Sequence, residues 1–291
     1  MNLKDWEILS IIKKERSLSK AAKKMAMSQP AISLRVQKIE QELGIKILYK
    51  TNRGTQLTPQ GEYLADEATQ LLKEIDLTKN FLSSINDPLT GTIKIGAANF
   101  MMRYKLPQIL QQFKMRYPGV DYNVTTGWSE NIFKLMQDQD VHVSFVRGEY
   151  EWRDKKHLLF KEPICIASME KIDIEKLPEM PRIEYKTDYK LQELINNWWM
   201  ENFTTTPRTD IIVTRTDICK EMLIAGLGYA ILPKLVVKGI PDIHTIDLSD
   251  KNGRLIVRPS WMLYKESTLE IGIVKAFVEF IEPGCLSIEV A

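Results

Sequence analysis

The chain has 291 residues and a formal net charge of +2, longer than the roughly 250 residues at which single cores stop growing, so two or more domains are expected. Hydrophobic residues at 44% and charged residues at 27% exclude disorder, collagen-like repeats and a disulfide scaffold. No apolar run approaches the roughly 18 residues needed to cross a bilayer, the opening around Lys4, Asp5 and Glu7 does not read as an export signal, and the expected location is the cytoplasm. Cys165, Cys219 and Cys285 lie far apart with no C-x-x-C, so they are expected to be reduced, packed thiols rather than disulfides or zinc ligands.

The net charge hides a division. Residues 1–58 carry 12 basic and 5 acidic side chains, a net of +7, while residues 59–291 carry a net of −5. A basic segment of this kind is the footprint of a polyanion-binding module, because Lys and Arg that neutralise phosphates release condensed counterions.

Within that segment, Leu3, Trp6, Ile8, Leu9, Ile11 and Ile12 fall near the 3.6-residue period of a helix. Ser19 is the expected N-cap of a short Ala-rich helix ending at Met25, followed by the turn Ala26-Met27-Ser28. A third helix opens at Ser28-Gln29-Pro30, with Pro30 in the first turn, and stops at Gly44. Ile32, Val36, Ile39 and Leu43 are expected to face inward. Two helices joined by a tight turn, with Ala21 and Ala22 at their closest approach, read as a helix-turn-helix over about 18–37. Candidate DNA contacts are Ser19, Lys20, Ser28, Gln29, Pro30, Ser33, Arg35, Gln37 and Lys38, the donors and acceptors that read base edges and phosphates. Ile47-Leu48-Tyr49 and Gln56-Leu57-Thr58 flank a hairpin tip carrying Arg53, a wing suited to a minor groove.

The run Ser19-x-Ala21-Ala22, Ser28-Gln29-Pro30-Ala31-Ile32-Ser33, Ile39-Glu40-x-Glu42-Leu43-Gly44, Leu48-Tyr49 and Leu57-Thr58-Pro59-x-Gly61 resembles the DNA-binding domain of LysR-type transcriptional regulators. The resemblance implies an α/β chain in three parts: an N-terminal winged helix-turn-helix, a long linker helix, and a periplasmic-binding-protein-like effector domain of two Rossmann-like lobes. It implies double-stranded promoter DNA and a second copy of the chain as partners, the dimers pairing into tetramers, with RNA polymerase at the same promoter and no membrane.

Residues 59–88 read as that linker. Leu64, Ala68, Leu71, Ile75, Leu82 and Ile85 step by 4, 3, 4, 7 and 3, a heptad seam for dimerisation. A helix of about 28 residues is roughly 40 Å long, more than a 58-residue module can cover. Asp87-Pro88 is the expected hinge.

Residues 89–291 alternate strand and helix, which predicts a parallel sheet covered on both faces. The first lobe is placed at about 92–162 plus 265–291 and the second at about 163–264, with Gly226-Leu227-Gly228-Tyr229 read as a helix stop and tight turn rather than a phosphate loop. No hydrolase, P-loop or metalloprotease motif occurs, and His142, His157 and His244 stand apart from other ligand-type residues, so neither an enzyme nor a metal site is expected and no cofactor is required.

Strand carboxyl ends and helix starts converge on a cleft whose candidate residues are Ala98, Asn99, Phe100, Gly127, Trp128, Ser129, Arg147, Thr214, Thr216 and Arg258. Arg147 and Arg258 sit in apolar strands, where a charge needs a partner. Either a carboxylate such as Glu149 or Asp217 supplies it, or a ligand does. Phe145-Val146-Arg147-Gly148-Glu149 with Val257-Arg258 resembles the citrate-responsive catabolite-control branch of the family, which implies a small di- or tricarboxylate effector, citrate first. A redox-responsive regulator remains an alternative, as do a different effector and a solute-binding or transferase role for the C-terminal 200 residues.

Overall fold

A computed structural model describes residues 1–51, 54–86 and 89–282. The chain divides into two units, Met1–Asn86 and Asp87–Ala291, so the linker helix belongs with the N-terminal module rather than beginning a separate part at residue 59. The expected hinge at Asp87-Pro88 and the third cysteine, Cys285, lie outside the described residues.

In the first unit, α1 (Leu3–Glu15) starts at a capping box in which Asn2 Oδ1 accepts from the Asp5 N–H at 3.2 Å and Asp5 returns the bond. Helix α2 (Leu18–Lys24) is capped by Ser17, two residues earlier than expected. Ser19 instead donates to Gln29 Oε1 at 3.1 Å, tying α2 to the next helix. Ser28 caps α3 (Gln29–Leu43), accepting from the Ala31 N–H. Ile8, Leu9, Ala21, Ile32, Val36 and Ile39 form the core, and burial of each large side chain contributes about 1.5–3 kcal/mol. Leu43 is not in it. The helix ends at Gly44 one residue later, and Leu43 is left 41% exposed.

Strands β1 (Leu48–Thr51) and β2 (Gly54–Leu57) pair antiparallel and make the wing. Glu40 anchors it to α3: its Oε1 accepts from the N–H groups of Ile47 and Leu48, and its Oε2 takes Lys46 Nζ at 3.0 Å. Burial pushes the Glu40 carboxyl up, but these three donors outweigh it and hold the group below its ordinary value. Helix α4 (Pro59–Asn86) follows, with Thr58 Oγ1 accepting from the Gly61 N–H. A Cβ at Gly61 would lie 2.3 Å from the Ile47 carbonyl, so only glycine lets α4 approach the wing.

The heptad seam of α4 divides in two. Leu64 and Ala68 pack into the unit's own core beside α1, next to a Ser10–Thr69 hydroxyl bond and the Lys13 pairs with Glu62 and Asp66. Ala68 is therefore covered within the unit, while Leu64 is half-buried. Leu71 and Leu82 are exposed, at 37% and 56%, because α1 is only 13 residues long and cannot cover them.

The second unit runs β3 (Gly91–Ala98), α5 (Asn99–Tyr104), α6 (Leu106–Arg116), β4 (Val120–Gly127), α7 (Ser129–Gln137), β5 (Val143–Arg147) and β6 (Lys155–Ser168). It continues through β7 (Arg182–Tyr185), α8 (Tyr189–Asn202), β8 (Thr209–Val213), α9 (Thr216–Ile224), β9 (Ala230–Pro233), β10 (His244–Asp247), β11 (Val257–Tyr264) and α10 (Gly272–Ile281). The main sheet has the order β10-β6-β11-β5-β3-β4, with β9 also on β6, and β7-β8 form a separate pair.

The sheet is mixed rather than parallel. Strand β3 pairs parallel with β4 and β5, but β11 is antiparallel to both β5 and β6. Strand β6 has 14 residues and serves both lobes, its first half against β11 and its second against β9 and β10. The lobe boundary at 162/163 thus falls inside one strand. Strand β11, assigned to the second lobe, contributes Met262 and Tyr264 to the first lobe's core with Phe113, Phe145 and Phe277. The second lobe packs Ile164, Ile166, Leu191, Trp198, Trp199 and Tyr229. Gly228 adopts φ +144° and a Cβ there would meet the Pro181 carbonyl at 2.2 Å, which confirms a tight turn made for close backbone approach.

Candidate functional site

The helix-turn-helix presents one polar face. On α3, Gln29, Pro30, Gln37 and Lys38 are exposed and Ser33 is half-buried; Lys20 and Ser19 on α2 and the cap Ser28 are exposed beside them. Leu34, 57% exposed, shares this face, an apolar group of the kind that meets thymine methyls. Arg35 does not simply point outward: its Nε donates to Asp5 Oδ1 at 2.6 Å and the side chain is two-thirds buried. The reason is position, since Arg35 adjoins the buried Val36 and borders α1. Arg53 lies outside the described residues, as does the side chain of Ile85.

In the second unit all ten expected cleft residues line one cavity of about 540 Å³. It opens at the carboxyl ends of β3, β4 and β5, where the helices that follow these strands begin. Helices α7 and α9, nine residues each, start at Trp128 and Arg215 with no side-chain cap; in the first turn of α9 the Asp217 carboxylate takes its own backbone N–H, whereas the start of α7 faces the cavity wall with no such partner among the described residues. By contrast α8 is capped by Asp188.

Strand register sets the charges. Arg258 on β11 stands opposite Glu162 on β6, and Arg147 on β5 stands opposite Ser260 on β11, so all four share a face. Across the small Ser260, Arg147 Nη2 donates to Glu162 Oε2, while Glu162 Oε1 accepts from the Leu235 N–H at 2.8 Å. Arg258 Nη2 donates to both oxygens of Asp188 at 2.6 Å. Each arginine therefore has a protein carboxylate, but neither of the two expected. Glu149 pairs with Lys156, and Asp217 with Arg215 and Arg103. The pairing is set by cross-strand neighbours and a helix cap, which sequence proximity does not reveal.

Burial opposes charge in the Arg147–Glu162 pair, drawing the guanidinium down to about 10 and pushing the carboxyl up. Arg147 stays cationic at neutral pH, and the Phe100 ring centroid lies 3.5 Å from its guanidinium carbon. The Nε atoms of Arg147 and Arg258 and the Tyr185 hydroxyl, all buried, find no hydrogen-bond partner among the described residues. The sequence reading missed Tyr185, Arg103, Tyr104 and Asp188 in this wall. Only Asp188 left a signal, as a cap-type residue just before an amphipathic helix.

Cys165 and Cys219 are fully buried in one apolar cluster, and burial pushes both thiols up to about 12. Neither is a thiolate at neutral pH. Among the described residues no His, Cys, Asp and Glu group could hold a metal, and no helix is long and apolar enough to cross a membrane.

The model of the LysR substrate binding domain matches residues 86–285, and that of the lysR-family bacterial regulatory helix-turn-helix protein matches residues 3–62. The chain is similar to two uncharacterized HTH-type transcriptional regulators of Bacillus subtilis (strain 168). It is 36% identical to YraN over 97% of this chain and 98% of that one, and 31% identical to YkuM over 97% of each. Full-length CbnR complexed with its target DNA shares the fold at 18% identity and TM-score 0.64, covering 98% of this chain and 100% of that one. So does AphB, the Vibrio cholerae virulence activator, at 16% identity and TM-score 0.58, covering 97% and 98%.

Proposed function

Since the chain belongs to the LysR family of DNA-binding transcriptional regulators, we propose that its cleft senses a small anionic metabolite, a di- or tricarboxylate with citrate as first candidate, and that occupancy changes transcription of nearby metabolic genes. The observation that carries this reading is the pair of buried guanidinium groups whose Nε atoms have no partner among the described residues. The hydrogen bonds from both guanidiniums run from Nη2, so each protein carboxylate leaves donors unused. Beside them lies the uncapped start of α7. Donors of this kind call for acceptor oxygens carrying negative charge. The reading face of α3, with Gln29, Ser33, Gln37 and Lys38, would contact promoter DNA, and the exposed half of α4 would pair with a second copy of the chain.

Thermal unfolding and calorimetry with citrate, succinate and phosphate test the effector. Citrate at about 100 times its dissociation constant is expected to raise the melting temperature by about 5–10 °C. Arg258→Ala should lose most of that response and keep its DNA binding. Wild-type protein that gives no heat with any of the three at millimolar concentration would remove the anion reading.

A further inference from the structure

The cleft contains a carboxylate of its own. Asp188 caps α8, its Oδ1 accepting the Leu191 N–H at 3.2 Å, while both of its oxygens stand 2.6 Å from Arg258 Nη2 on β11. The next residues also reach the rim of the first lobe: Lys190 donates to the Glu149 carbonyl and its Nζ lies 4.0 Å from the centre of the Tyr150 ring. The first turn of α8, which belongs to the second lobe, is thus held against β11 and the segment after β5.

We propose that Asp188 is the internal counter-anion of the cleft: an incoming anion competes with it for Arg258 and displaces it, releasing the first turn of α8. The proposal rests on the anion reading given above. An anion that takes the open Nε of Arg258 comes within a few ångströms of a carboxylate already on the same guanidinium. In a desolvated site two like charges so placed disfavour each other, and one must yield. Of the two carboxylates, Asp188 is the one free to go. Each carboxylate also holds one backbone N–H, Glu162 that of Leu235 at 2.8 Å and Asp188 that of Leu191 at the longer 3.2 Å, but Glu162 is 2% exposed, whereas the Asp188 side chain is 11% exposed and lines the open cavity. An anion with oxygens for both nitrogens of the guanidinium edge replaces what Asp188 gave; a weaker acceptor does not. Asp188 therefore sets the threshold that separates effectors from bystander anions, and its departure couples binding to the contact between lobes.

Asp188→Asn tests this in the full-length protein, because asparagine caps a helix as well as aspartate does and removes only the charge. Calorimetry with citrate, and with sulfate as a second probe, is expected to show binding tighter than wild type by about 10-fold or more, within the usual range of coupling between sites. In wild type, saturating citrate should speed hydrogen exchange at the Leu191 amide, whose acceptor leaves. This second measurement decides the matter even if the variant does not fold. Citrate affinity unchanged or weaker in folded Asp188→Asn, or Leu191 exchange unchanged in citrate-saturated wild type, overturns the proposal and leaves the anion reading standing. No heat with either probe in wild type overturns both.

Discussion

Asp217 shows how a single carboxylate is held ionised at a cleft mouth. It sits in the first turn of α9 and accepts Arg215 Nε at 2.9 Å and Nη2 at 2.6 Å, with Arg103 Nη1 of α5 at 2.9 Å. The Arg215 hydrogen bonds, opposed by burial and aided by Arg103, hold its carboxyl at about 2. A depressed carboxyl contributes stability that is complete above its unfolded value, about 3.9, and is lost as pH falls through the folded one. The difference in melting temperature between wild type and Asp217→Asn should therefore be constant above about pH 5 and shrink between pH 4 and about 2. It should also be smaller in high salt, since Arg215 and Arg103 are largely exposed. A difference that grows on acidification would contradict the assignment.

At the scale of elements, α4 is one helix with two surfaces. Ala68 is buried against α1, and Ala68→Leu should lower stability by about 1–3 kcal/mol through overpacking. Leu71 is exposed and Ile75 half-exposed. Replacing both by Glu should change the stability of the folded unit by no more than about 0.5 kcal/mol per site yet convert a dimer to monomer in light scattering. A monomeric wild type at micromolar concentration would contradict the seam. The whole span of α4 was legible, because Pro59, an unbroken apolar period and Asp87-Pro88 are local signals. What covers each stretch of it was not, since a heptad pattern does not say whether its partner is α1 or another chain. The same limit explains the sheet. Strand positions followed from apolar runs, but the antiparallel β11 and the double service of β6 depend on register between residues some hundred apart. It explains the site as well: the ten cleft residues were found by their place at strand ends, while Glu162 and Asp188 were missed as partners because cross-strand pairing and a helix cap brought them there.

Over the whole molecule, charge is segregated more sharply than its total of +2 suggests. The winged module carries +7 over residues 1–58 and the remainder −5, so attraction to a phosphate backbone resides in the N-terminal unit, and the effector domain adds none. Affinity for operator DNA should therefore fall steeply with salt, each neutralised phosphate contributing a slope of about −0.9 to the logarithmic plot. Side chains on the reading face should separate by what they touch. Lys20 and Lys38 are exposed cations placed to meet phosphates, Lys20 beside Glu15, whose carboxyl it helps to lower, and Lys38 in none of the ion pairs among the described residues. Lys38→Ala is expected to weaken binding to every sequence alike and reduce the salt slope by about 1. Gln29 stands at the start of α3, the end of a recognition helix that enters the major groove first. Gln29→Ala should leave the slope unchanged and weaken only the cognate site, by about 1–3 kcal/mol. Mobility-shift titrations of both variants on operator and unrelated DNA, at several salt concentrations, check the division. Equal losses on both DNAs for Gln29→Ala would show that α3 grips the backbone there and that the bases are read elsewhere on the module.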